Sequence, residues 1–355
     1  MRKYGVELFR FIMSIIVCLH HFRLYSDALP YGGGYLAVDF FFILSGYFLY
    51  MHGKRNEKNN ERKPLKQTVQ YAWGRYKRLY TQYIVVFFIY IVVYLGVWGI
   101  SWGRKYTSSF VLKMLMLDAI YVREQSSIMP QGWYCSSLLV ASAVIYYLFA
   151  RFGKKFMRYI MPVLSIGIYV ILFFRYGYLN LYSQHGFGLT VGTFRAVAGL
   201  GSGWVLADLI GKHPAMYLRA KWIQPVCFLT ITGGVLYALL WDNGYSKSDF
   251  ILPVAFMLML YYLLKDNVIS AFLDKPLFSM AGKMSYMLFL IHYLIAVLFD
   301  SFSWMRNVDW KITSLAYVVI VTVVSFFLYN IVIKIWALKV RGTQGYKDER
   351  KNIQR

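Results

Sequence analysis

Arg10 and His21 stand in one apolar run near the N-terminus. An ionisable group inside a membrane segment is costly to keep there and by default marks function. Eleven helical steps turn about 1100°, three turns and ~20°, so the two side chains share one face roughly 16 Å apart. Ser14 and Cys18 fall between them at helical spacing, completing a polar stripe on an otherwise apolar helix. An imidazole titrates near neutral pH and is the usual general base. A carboxylate such as Asp39 could hold its tautomer, and the pair could take a proton from an alcohol. A guanidinium can hold a phosphate or a carbonyl oxygen. From these residues alone catalysis, a proton relay and a structural polar network all stay open.

The elements that must position these groups follow from composition. The 355 residues are 59% hydrophobic and 15% charged, where soluble domains carry about 25% charged residues. Apolar runs at 5–23, 35–52, 79–98, 134–150, 157–174, 190–210, 223–241, 249–265, 284–300 and 313–337 approach the ~20 residues that a helix needs to cross a bilayer. The expected fold is all-α: a polytopic transmembrane bundle of about ten spans, with both termini cytoplasmic. Residues 1–340 form one membrane domain and 341–355 a basic cytoplasmic tail. The run from Phe110 to Leu117 is too short to cross and is expected to lie on the surface or dip in. The basic start followed by an apolar run resembles a signal peptide. No small-residue cleavage site follows, so it reads as a retained first span. Three cysteines, without a CxxC pair, give no disulfide framework and no thiolate metal site.

The net charge of +23 would suit nucleic acid, but its distribution does not. With the N-terminus inside, the inner segments hold 29 of the 39 Lys and Arg and the outer segments 9. That asymmetry sets membrane orientation and contact with anionic lipid, and it excludes nucleic acid as a partner. The inner loop 53–78 is the densest basic stretch. Its second half, Thr68 to Tyr80, alternates basic and aromatic residues like an interfacial helix. Outside, residues 99–133 form the longest loop, a candidate lid or acceptor-recognition element. With the spans so oriented, His21, Asp39 and Arg195 fall in the outer half, His292 near the middle of its span, and Arg10 at the inner end. Gly199, Gly201 and Gly203 suit close helix approach.

Several motifs carry a family resemblance. Arg10-x10-His21-Phe22 is followed by Gly34-Tyr-Leu-Ala-Val-Asp39 and Ser45-Gly46-Tyr47. Then come Arg75-Tyr-Lys-Arg78-Leu79, Gly132-Trp133-Tyr134, Phe194-Arg195-Ala-Val-Ala-Gly199 and Ser285-Tyr286-Met-Leu-Phe289-Leu-Ile-His292. In this order they resemble the bacterial acyltransferase-3 family of integral membrane acyltransferases, over about residues 3 to 335. The family's basic motif usually carries a proline where this chain has Thr81.

The resemblance implies O-acetyltransferase-type chemistry in a bacterial cytoplasmic membrane. An acyl group, often acetyl, moves from a cytosolic acyl-CoA co-substrate to a hydroxyl of a cell-surface glycan or lipid-linked sugar. No permanently bound cofactor or metal is implied, and glycan-biosynthesis proteins are the expected partners. Carried over, His21 and Asp39 are the catalytic candidates. Arg10 with Arg75, Lys77 and Arg78 would bind the donor. Arg195, His292, Ser45 and Trp133 would shape the tunnel or stabilise an oxyanion. Arg195 pairing with Asp39 is the competing structural reading, and Ser45 suits helix packing equally well. The rival function is a flippase for a lipid-linked saccharide, and a third is a structural subunit of a glycan-export system.

Overall fold

The structure, a computed structural model, describes residues 3–23, 30–56, 63–99, 110–119, 128–182, 184–186, 189–212, 222–242, 244–302 and 307–353. Ten α-helices are present among them: α1 (Tyr4–Phe22), α2 (Ala37–Asn56), α3 (Pro64–Trp98), α4 (Gly132–Tyr176), α5 (Val191–Lys212), α6 (Ile223–Leu240), α7 (Leu252–Leu264), α8 (Val268–Leu273), α9 (Phe278–Asp300) and α10 (Trp310–Ile353). The described β-structure is one short antiparallel pair, His185–Gly186 with Leu189–Thr190. An apolar chain in hydrocarbon must satisfy its own backbone, and a helix does so within each segment. The fold is thus the expected all-α bundle.

Eight helical segments are long and apolar enough to cross a membrane. One of them, α4, contains two of the expected spans. Gly153 lies inside it at φ 76° and ψ 175°, a conformation that breaks the helix into two arms. The sixth expected run is α5, a full helix whose glycines and Arg195 lower its hydropathy below that of the eight. The bundle therefore holds the expected apolar runs, with 134–150 and 157–174 as the two arms of α4.

One boundary differs from the sequence expectation. The basic stretch Thr68 to Tyr80 is not a separate interfacial helix: it is the first half of α3, which starts at Pro64 and runs unbroken for 35 residues. Proline is well placed at a helix start, where its missing N–H costs nothing. A threonine at position 81, whose Oγ1 donates to the Lys77 carbonyl at 3.0 Å, leaves the helix free to continue. The segment 110–119 dips in, with Lys113 and Asp118 both buried and bonded at 2.9 Å, and Tyr83 donating to the Lys113 carbonyl at 2.7 Å. The rest of that outer loop, 100–109 and 120–127, lies outside the described residues. Helix α10 continues to Ile353, through the stretch expected to be a tail.

Among the eight candidate spans α2 and α9 are the most interior, each with 72% of its apolar window buried, against 17% for α10 at the periphery, and most of α5 is buried as well. Helix α1 packs along α9, and α5 packs between α2 and α4. The α2–α5 contact is backbone to backbone: a Cβ on Gly46 would run into the Leu200 carbonyl, and one on Gly203 into that of Ile43. The glycines of α5 permit this approach. Gly199 faces Phe42 of α2, and Gly201 faces Ser165 of the second α4 arm. Asp208 of α5 then ties to Arg158 of α4 at 3.0 Å.

Candidate active site

Helices α1 and α9 lie side by side and run in the same direction out of one face, so each carries one polar group near its start and an imidazole further along. On α1 these are Arg10 and His21; on α9 they are Lys283 and His292. The Ser14 hydroxyl donates to the Ser285 carbonyl at 3.0 Å and pins the two helices together between those levels.

At the Arg10 level a cavity of about 350 Å³ opens between α1, α2, α3, α4 and α9. Arg10, Arg75, Gln82, Lys283 and Ser45 supply its polar wall, and Phe41, Tyr134, Tyr286 and Phe289 are among its aromatic residues. The basic groups are only partly engaged. Arg10 Nη1 donates to Glu7 at 2.8 Å and Arg75 Nη1 donates to the Tyr71 hydroxyl at 2.9 Å. Arg75 Nε and Gln82 Oε1 are buried without a hydrogen-bond partner. A buried donor left unsatisfied is expensive unless a ligand or water completes it. The chemistry on offer is therefore anion binding: two guanidiniums and an ammonium with donors to spare.

Lys77 and Arg78 do not join this cavity. Both are exposed on other faces of α3, Lys77 with its ammonium 5.6 Å from the centre of the Trp73 ring. A helix turns 100° per residue, so Lys77 points about 160° away from Arg75, while Arg78, about 60° round from Arg75, lies at the exposed edge outside the cavity lining.

At the other level the imidazole of His21 is half-buried and ringed by aromatics. Its ring centre lies 5.0 Å from that of His292, 5.2 Å from His20 and 5.4 Å from Tyr293. His292 is fully buried. Its Nδ1 donates to the Phe289 carbonyl one turn earlier at 2.6 Å, and its Nε2 is buried with no partner. Phe289 joins the two levels: it lines the cavity, and its ring centre is 5.8 Å from that of His292. His20, on the next face of α1, places Nδ1 3.0 Å from the Tyr31 carbonyl.

Asp39 and Arg195 form a third arrangement, apart from both. Arg195 Nε donates to Asp39 Oδ1 at 3.0 Å and Nη2 to Oδ2 at 2.6 Å. Two further N–H groups go to the Leu179 carbonyl at 3.1 Å (Nη1) and the Tyr35 carbonyl at 2.9 Å (Nη2). Both residues are buried. Asp39 thus spends both oxygens on Arg195 rather than on His21, and Arg195 has no donor directed at a reacting group. The pair is a clamp between α2 and α5, the competing structural reading of these two residues.

Trp133 is a packing residue of the same region. It stacks on Tyr182 with centres 5.4 Å apart, against Gly192 at the start of α5. Cys18 is buried away from the cavity wall, so the polar stripe of α1 reaches the cavity through Arg10 and Ser14 only. The sequence reasoning missed Lys283 and Gln82 as cavity residues, and missed His292 as the neighbour of His21. Spacing gave no signal for Lys283: nine helical steps separate it from His292, about 180° round α9, where the eleven steps from Arg10 to His21 return to one face of α1.

A family model described as an acyltransferase domain matches residues 3–330, a range that contains every residue of the three arrangements. No curated protein and no solved structure matches the chain.

Proposed function

The chain belongs to the acyltransferase-3 family and is a membrane acyltransferase, and we propose that it moves an acyl group, acetyl in the simplest case, from a cytosolic acyl-CoA to a hydroxyl of an extracytoplasmic glycan or lipid-linked sugar. The observation that carries this reading is the shared seam of α1 and α9, with an anion-binding cavity at one level and an imidazole pair at the other. The excess of Lys and Arg orients the cavity end toward the cytosol. The phosphates of the donor sit against Arg10, Arg75 and Lys283. Its thioester arm follows the seam past Ser14, Ser285 and Phe289 toward His21. The membrane is then the plasma membrane of a bacterium, with the acceptor arriving from the far side.

At His21 the acceptor hydroxyl gives its proton to the imidazole while its oxygen attacks the thioester carbonyl carbon. The carbon–sulfur bond breaks, and the leaving thiolate takes the proton back from His21. A positioned imidazole contributes about 10²- to 10⁴-fold to such a step. Transfer through an acylated imidazole divides the same reaction into two halves, and labelled protein accumulating without acceptor would identify it.

The test uses the full chain in proteoliposomes with radiolabelled acetyl-CoA on one side and candidate glycans on the other. Label appearing in the glycan with wild type, and falling about 10²-fold or more with His21→Ala, is the expected result. Intact glycan crossing the bilayer without gaining label would overturn it in favour of a flippase.

A further inference from the structure

We propose that His292 is the positioning residue of His21: its Nε2 lone pair accepts the His21 N–H and so decides which nitrogen of His21 is free to take the hydroxyl proton. A backbone carbonyl can only accept, so the contact to Phe289 requires the hydrogen of His292 to sit on Nδ1. The opposite nitrogen, Nε2, is then an acceptor whose tautomer is set by the helix that carries it. It is buried, it has no partner, and the His21 ring centre is 5.0 Å from its own. Buried acceptors in native proteins are in the great majority satisfied by a protein group, an ordered water or a ligand. Hydrogen bonds of this kind are often long before substrate binds and tighten in the complex.

The other groups considered for this role are otherwise engaged. Asp39 is committed to Arg195 through both oxygens. His20 meets His21 edge-on, at an interplanar angle of 72°, and its Nδ1 is held at the Tyr31 carbonyl. A neutral imidazole in place of the usual carboxylate also suits a site inside a membrane bundle, where an unpaired charge is costly. In the transfer step His21 gains the hydroxyl proton on its free nitrogen. Its other N–H stays donated to His292, and the gained proton leaves with the thiolate. His292 itself neither gains nor loses a proton over the cycle.

The kinetic consequence rests on the acyl-transfer reading above; the hydrogen bond does not. Two substitutions separate positioning from packing. Glutamine places an amide oxygen near the Nε2 position, and asparagine places an amide nitrogen near Nδ1, where it can still reach Phe289. His292→Asn is expected to lower kcat about 10²-fold or more, with the KM for acetyl-CoA within about threefold of wild type. His292→Gln is expected to return kcat to within about tenfold. In ¹⁵N-histidine NMR of the full chain in bilayers, wild-type His21 should show one neutral tautomer, and His292→Asn a mixture.

A purely structural role predicts the reverse order, with Asn milder than Gln, and that order overturns the proposal. So does a His21 tautomer untouched by His292→Asn. If wild type transfers no acyl group, the functional reading falls and the NMR result alone judges the His21–His292 bond.

Discussion

Arg195 and Arg75 are both guanidiniums inside an apolar bundle, and they have opposite fates. Arg195 is buried with each of its three nitrogens bonded, to Asp39 and to two backbone carbonyls. Arg75 is half-buried at a cavity, bonded to one tyrosine hydroxyl, with its Nε left over. The rule that an intramembrane charge marks function applies to both equally. What separates them is the count of donors against acceptors. A guanidinium with all three nitrogens engaged by the protein is a strut, and one with a nitrogen left over at a cavity is a binding group.

That contrast can be broken at several points. The largest effect belongs to the clamp: Asp39→Ala leaves a buried guanidinium without its counter-charge and should cost about 3–5 kcal/mol, read as a lowered unfolding temperature in detergent. Replacing both partners with apolar residues of similar volume, Asp39→Leu with Arg195→Met, should recover most of that loss, since apolar replacements of buried pairs are often neutral. A double variant no more stable than Asp39→Ala would show that the pair does more than hold α2 to α5. Next, Arg75→Ala should leave the unfolding temperature within about 2 °C. It should raise the KM for acyl-CoA about tenfold or more, the worth of one charge-assisted hydrogen bond. Equal donor affinity in variant and wild type would remove Arg75 from the binding wall. The smallest effect is that of Lys77→Ala. Its ammonium lies over an exposed Trp73 ring, worth about 0.5–1 kcal/mol at most, and donor KM should not move. A tenfold rise would place the donor along the outer face of α3 instead.

Much of the architecture was legible because it rests on local chemistry. The apolar runs, the glycines that let α5 approach α2, and the short inward segment around Lys113 all follow from residue type and spacing. The site was legible in part. Arg10, Arg75 and Ser45 do meet at one cavity, because motif residues on different helices converge where the helices cross. Lys77 does not, because helical phase turns it away from Arg75, and Arg78, one turn on from Arg75, stays exposed outside the cavity lining. The break in α4 was legible as the gap between the apolar runs 134–150 and 157–174, and Gly153 with its positive φ makes it. The unbroken α3 was hidden because basic and apolar halves can share one helix once no proline divides them.

By itself the sequence determined that this chain is a membrane bundle, which face is basic, and which ionisable groups lie among its apolar spans. Those are sums over residue types and helical steps, and no distant contact can change them. Which carboxylate meets which cation was decided by tertiary structure. Asp39 and Arg195 are 156 positions apart, and His21 and His292 lie on different helices. The packing of α1 on α9 and of α2 on α5 brought the first pair into a closed clamp and the second into an open one, because hydrogen-bond partners are settled within a few ångströms that no spacing along the chain specifies.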